Sequence, residues 1–123
     1  MTARTANPTP LAVVDLKTAA HRAQAGHPPV VVATFDEYQL SVVRVSEDLG
    51  LHRHDDTDEP LIVLEGAIEV EVAGATLQVG PGQLFVVPRG QAQHPRPIGE
   101  AVLLLCERRG AAPSVKLATA PAN

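Results

Sequence analysis

Three side chains that lie close together, His52, His54 and Glu59, carry the clearest chemistry in this chain of 123 residues. With Leu51-His52-Arg53-His54 extended, successive side chains alternate, so His52 and His54 share one face and Arg53 points to the other. Glu59 follows the acidic turn Asp55-Asp56-Thr57-Asp58 and can swing back across the neighbouring strand to join the two imidazoles. Two neutral histidine nitrogens and one carboxylate oxygen suit a divalent transition metal: Fe(II), Mn(II), Ni(II) or Zn(II). Calcium, which the aspartates alone would suggest, takes oxygen ligands, so these acids read better as a solvated turn that caps backbone amides. A His-x-His pair by itself is more often a pair of polar residues on the wet side of an edge strand. The residues downstream shift that balance.

The elements that must position these groups are mostly strands. Asp15 can cap a short helix running to about Ala25, stopped by Gly26, with Leu16, Ala19, Ala20 and Ala23 as its apolar stripe. From Val30 the texture becomes short β-rich runs: 30–35, 38–46, 51–54, 61–65, 67–73, 75–79, 84–87, 91–96 and 101–107. Gly66, Gly74, Gly80-Pro81-Gly82, Pro88-Arg89-Gly90 and Ile98-Gly99 read as the punctuation between them. Short strands at this spacing predict a sandwich or a barrel closed on itself. Ala67–Val72 alternates with one dry and one wet face, whereas Leu61–Leu64 and Val102–Leu105 are apolar on both. A second subunit is the simplest cover for their outer side, which predicts a homodimer. Residues 1–10 and 111–123 read as flexible tails around one domain at 11–110.

Spacing then adds to residue type. His52 and His54 are followed by four residues, Glu59, six residues and Gly66; later come Gly82, five residues, Pro88, one residue and Gly90. In these two motifs the chain resembles the cupin superfamily from about Val30 to Glu107. Its wording is most similar to the small single-domain cupins called mannose-6-phosphate isomerase-like, a label of sequence similarity rather than of activity. The resemblance implies an all-β fold, the double-stranded β-helix or jelly-roll barrel, here with one short N-terminal helix. Ser46 stands where the first motif usually opens with glycine, which affects only a turn.

The second motif implies a histidine three residues after Gly90, but that position is Gln93, with His94 one place later. If the strand keeps its register, Gln93 points inward and offers a neutral amide; a one-residue bulge would bring in His94 instead. Ligand chemistry favours His94, because imidazole binds these metals better than an amide. Spacing favours Gln93, because Pro95 and the strand ending at Glu107 then need no gap.

Dioxygenase, isomerase and lyase chemistry all occur among cupins. The donor set, which resembles the facial triad of non-haem iron oxygenases, favours oxygenase chemistry on a small oxygen-bearing substrate. Glu59 is then the candidate catalytic residue, as a ligand and as a base when it leaves the metal. The rival reading is a non-catalytic metal or small-ligand binding module, which the Gln93 departure favours.

Composition narrows the classes further. A net charge of -4 lacks the basic face that nucleic acid requires. Aromatics make up only 2% of residues, which weighs against sugar stacking and predicts an aliphatic core. Cys106 is the single cysteine, so no internal disulfide forms and a reducing compartment fits. The beginning lacks a secretion-signal pattern and no run approaches the length of a membrane helix, so the expected location is cytoplasmic, without membrane partners.

Overall fold

The aliphatic runs pair into antiparallel strands, seen in a computed structural model that describes residues 11–118. The elements are α1 (Leu16–Arg22), β1 (Val30–Phe35), β2 (Tyr38–Val45), β3 (His52–Arg53), β4 (Glu59–Val72), β5 (Ala75–Val79), β6 (Leu84–Val87), β7 (Gln93–Arg108) and β8 (Val115–Lys116). The expected loose segment at 1–10 and the last five residues lie outside the described residues.

Two long strands organise the rest. β4 pairs with β7 along its length, and its other edge takes β6 near Glu59–Ile62 and β5 near Ile68–Val72. β7 in turn pairs with β2 and, at Gln93, with β3. Gly66 and Ile98-Gly99, which read as breaks, instead lie inside these strands. The pairing absorbs them through register shifts flanking Glu65 and Gly66 (between Val63 and Glu65, and between Gly66 and Ile68), and the positive φ of Gly66 lets β4 bend there.

The alternation of β4 and β7 sorts their residues into two cores. Leu61, Val63, Ile68, Val70, Val72, Ala101 and Leu103 face the interior with Val79 and Val87. Ile62, Leu64, Val102 and Leu104 face the opposite way and pack with Val42 against Ala20, Leu16, Ala19 and Ala23 of the helix region. The outer apolar face that suggested a second subunit is therefore covered by the chain's own helix.

Asp15 caps that helix as expected, its carboxylate accepting the Thr18 N–H at 3.1 Å. The helix stops at Arg22, short of Ala25, because Ala23 is already extended. Arg44 of β2 reaches this end: its guanidinium donates to the carbonyls of Ala23 (2.7 Å) and Ala20 (3.1 Å) and pairs with Glu65 and Glu100. A cation at a helix C-terminus satisfies carbonyls that have no partner within the helix. Arg44→Met is expected to cost about 2 kcal/mol in chemical denaturation, since it leaves the Ala23 carbonyl and two carboxylates without this donor, while the Ala20 carbonyl keeps the Ala23 N–H. A midpoint unchanged within error would show that apolar contacts alone dock α1.

Composition suggested a loose tail from 111, but its described part, up to residue 118, carries a strand. Val115 and Lys116 form β8, which pairs with Arg53 and His52 of β3. The Asp56 carboxylate also holds this stretch, accepting the Ala112 N–H at 3.0 Å. The Ala- and Pro-rich composition masked the strand signal of Val115, and the pairing comes from backbone groups that any residue supplies. Among the described residues no helix is long and apolar enough to cross a membrane.

Candidate metal centre

The candidate residues come from three elements that meet in the fold: β3, the start of β4 and the start of β7. β3 supplies His52, and His54 follows it directly. The acidic turn then returns the chain so that Glu59 opens β4. That return is tied to the second motif: Asp58 accepts the Arg89 N–H at 2.9 Å, and the Gly90 N–H donates to the His54 carbonyl at 2.6 Å. Gln93 opens β7 and faces His52 on one side and Val72 on the other.

One ligand atom from each of His52, His54 and Glu59 lies within 4.8 Å of the others, and this is the only such cluster among the described residues. The His54 Nε2 stands 3.0 Å from the Glu59 Oε1, and the His52 Nε2 stands 3.8 Å away. The Nδ1–H of His52 donates to the Gly50 carbonyl at 3.0 Å, which leaves its Nε2 facing the carboxylate. Gln93 is fully buried, and its amide Nε2 donates to Glu59 Oε1 at 2.6 Å.

β7 keeps its register through this region, pairing Gln93 with Val72 and His94 with Glu71. No bulge brings His94 inward. Its Nε2 instead meets Asp48 Oδ1 at 2.7 Å on the outer side. Asp48 is held by the Gly50 N–H as well, and these two bonds, the Gly50 one first, keep its carboxyl pKa below the ordinary value.

Electrostatics follow from the convergence on Glu59. Burial alone would raise its carboxyl pKa, but His52, the nearby charge of His54 and the Gln93 amide outweigh burial, and the pKa is lowered. The carboxylate in turn raises the His52 pKa against the opposing effect of burial. At 3.8 Å this pair attracts as charges rather than through a hydrogen bond.

These shifts set a pH dependence for the metal-free chain. Folding raises the His52 pKa, so its contribution is complete below the ordinary 6.5 and is lost as pH rises through the raised value. Folding lowers the Glu59 pKa, so its contribution is present above the ordinary 4.5 and is lost as pH falls through the lowered value. The denaturant midpoint should therefore fall between about pH 6 and about pH 8. Metal affinity should move the other way, rising by up to about tenfold per pH unit while a histidine proton must be displaced. A metal-free midpoint that climbs over that range would reverse the assignment for His52.

The donor set fits a divalent transition metal: two imidazoles, one ionised carboxylate, and a second atom on one imidazole already fixed by a backbone carbonyl. A cavity of about 650 Å³ opens beside it, with His54, Glu59, Pro60, Leu105, Cys106 and Arg108 among its wall residues. Cys106 thus borders the cavity, a placement that depends on strand pairing and left no mark in the sequence.

The fold recurs in known structures. A cupin-2 domain containing protein from Shewanella frigidimarina aligns with a TM-score of 0.73 and 27% identity over 79% of this chain and 95% of that one. Protein NMB1881 from Neisseria meningitidis aligns with a TM-score of 0.68 and 26% identity over 79% of this chain and 99% of that one. The polyketide cyclase RemF from Streptomyces resistomycificus shares the fold, with a TM-score of 0.60 and 24% identity over 70% of this chain and 64% of that one. Among curated proteins none matches the sequence. The family model for the cupin domain matches residues 39–106, which takes in β2, both motifs and most of β7, and so this jelly-roll chain belongs to the cupin domain family.

Proposed function

We propose that the chain is a metal-dependent enzyme that holds one divalent transition metal on His52, His54 and Glu59 and acts on a small oxygen-bearing molecule. The observation that carries this reading is the meeting of two imidazole nitrogens and a carboxylate within 4.8 Å beside a cavity of about 650 Å³. A metal in this place would supply Lewis acidity to oxygen donors, and three protein ligands leave positions for two of them. The chain's own residues do the rest. Glu59 is ionised at neutral pH and provides the one negative charge of the ligand set. The Gly50 carbonyl fixes the tautomer of His52. Pro60 and Leu105 add apolar wall to a cavity otherwise lined largely by charged and polar groups, Arg108 among them, which suits an oxygen-bearing substrate.

The donor set favours oxygenase chemistry over isomerase or lyase chemistry, because adjacent open positions suit a chelating substrate beside dioxygen. The test joins bound-metal content to dioxygen consumption across diketones, catechols and hydroxy acids. About one metal per chain with oxygen uptake on one substrate class supports the reading; tight metal with no uptake and no product removes the oxygenase step. A chain that takes up none of Fe(II), Mn(II), Ni(II) or Zn(II) removes the metal centre altogether.

The second reading, a non-catalytic binding module, rests on Gln93, an amide where the family's motif has an imidazole. Stoichiometric ligand binding without turnover distinguishes it. The homodimer and the cytoplasmic location stay within this proposal. The first now rests on Leu84 and Val86, exposed on β6, rather than on the face under α1. A monomeric mass by light scattering at micromolar concentration would exclude it.

A further inference from the structure

Gln93 occupies the fourth-ligand position of the family's motif, yet its contacts are not those of a ligand. Its side chain is fully buried, and the amide presents its nitrogen to Glu59, donating to Oε1 at 2.6 Å. The opposite amide orientation would set a carbonyl oxygen against an ionised carboxylate at that distance, which is repulsive. The orientation therefore follows from Glu59. It leaves the Gln93 Oε1 buried without a hydrogen-bond partner among the described residues, although such a buried acceptor is costly. A neutral amide that leaves its own acceptor unsatisfied to keep this one bond is holding the carboxylate in place.

The same oxygen, Glu59 Oε1, is the atom on which His54 at 3.0 Å and His52 at 3.8 Å converge. Nothing else in the described hydrogen-bond network holds Glu59 by its side chain apart from the two histidines. With the histidines engaged elsewhere, Gln93 is the group left to fix the rotamer of the glutamate.

We propose that Gln93 is a positioning residue for Glu59 and not a metal ligand, so that the centre has three protein ligands where the family's motif supplies four. This rests on the metal-site reading above and adds a role for the amide. With three protein ligands, the metal would take its remaining donors from small molecules.

The test uses the full chain loaded with Co(II), whose visible absorption reports the number and type of donors, together with competition measurements of Co(II) and Zn(II) affinity. Gln93→Leu keeps most of the volume and removes both polar atoms. The expected result is one Co(II) per chain, an affinity lowered by about 10- to 100-fold, and absorption bands at the wild-type positions. Gln93→His calibrates the spectrum, because an added imidazole donor must move the bands. Gln93→Met, which is also apolar and similar in length, gives the same reading should Gln93→Leu fail to fold.

Bands that shift in Gln93→Leu or Gln93→Met, or binding lost as completely as in a Glu59 variant, would make Gln93 a ligand and overturn the proposal. An affinity within twofold of wild type would overturn it from the other side, because the amide would then position nothing. A wild-type chain that binds no Co(II) or Zn(II) defeats the metal centre itself and this proposal with it. Wild-type binding with an indifferent Gln93 defeats this proposal alone.

Discussion

Glu59→Gln is expected to lower the affinity for Zn(II) or Co(II) by more than about a hundredfold while leaving the metal-free fold close to wild type. The substitution keeps the size of the side chain and removes its charge. What remains is two neutral imidazoles and two facing amides, and the divalent ion loses the only anionic donor in the cluster. The metal-free fold should lose only the share that the ionised carboxylate contributes, because the amide keeps the side chain's shape and can still meet Gln93 and His54. Thermal melts without metal and competition titrations with it separate the two effects. Wild-type affinity in Glu59→Gln would remove Glu59 from the centre. An equal loss of stability and affinity would mean that the carboxylate is chiefly structural.

Gly66→Ala is expected to cost at least about 3 kcal/mol, a large part of the stability of a domain this size. Two effects add. Gly66 has a φ of +71°, where a side chain brings strain of about 1–3 kcal/mol. A Cβ there would also stand 2.2 Å from the Glu100 carbonyl oxygen. That oxygen belongs to the backbone beside the Gly66–Ala101 pairing and cannot yield without opening the β4–β7 ladder. Gly82→Ala is the control: its φ is +76°, but a Cβ would meet nothing within 4 Å, so only the conformational cost of about 1 kcal/mol remains. Equal losses in the two variants would show that the close approach at Glu100 has no energetic weight.

Both positions belong to the motif spacing, and that spacing is the part of the molecule the sequence displays best. Strand β1 runs from Val30 to Phe35 as its β-branched run suggests, and alternation correctly places His52 and His54 together. Glycine was the misleading signal. Gly66 and Gly99 read as turns, yet both sit within long strands, because a positive φ serves a bulge as well as a turn. Local pattern cannot distinguish the two; the partner strand does.

The direction of His94 was closed to sequence reasoning for a related reason. It depends on Asp48, distant along the chain, whose carboxylate is itself set by the Gly50 N–H. The two-faced apolar strands were read correctly as covered, but the covering element was misassigned. The stripe of Leu16, Ala19, Ala20 and Ala23 was visible without its destination, and Arg44, which fastens it, showed only as one more charged residue.

The short strand β8 changes where this molecule's working border lies. β3 would otherwise end the sheet with unpaired amides and carbonyls, the kind of margin that recruits foreign strands and seeds aggregation. Val115 and Lys116 close that margin, and the Leu117 N–H extends the seal to the Leu51 carbonyl at 3.0 Å. A boundary drawn at Gly110, where the composition turns bland, would strip the strand bearing His52 of its neighbour and turn the metal-binding end of the barrel into a sticky seam.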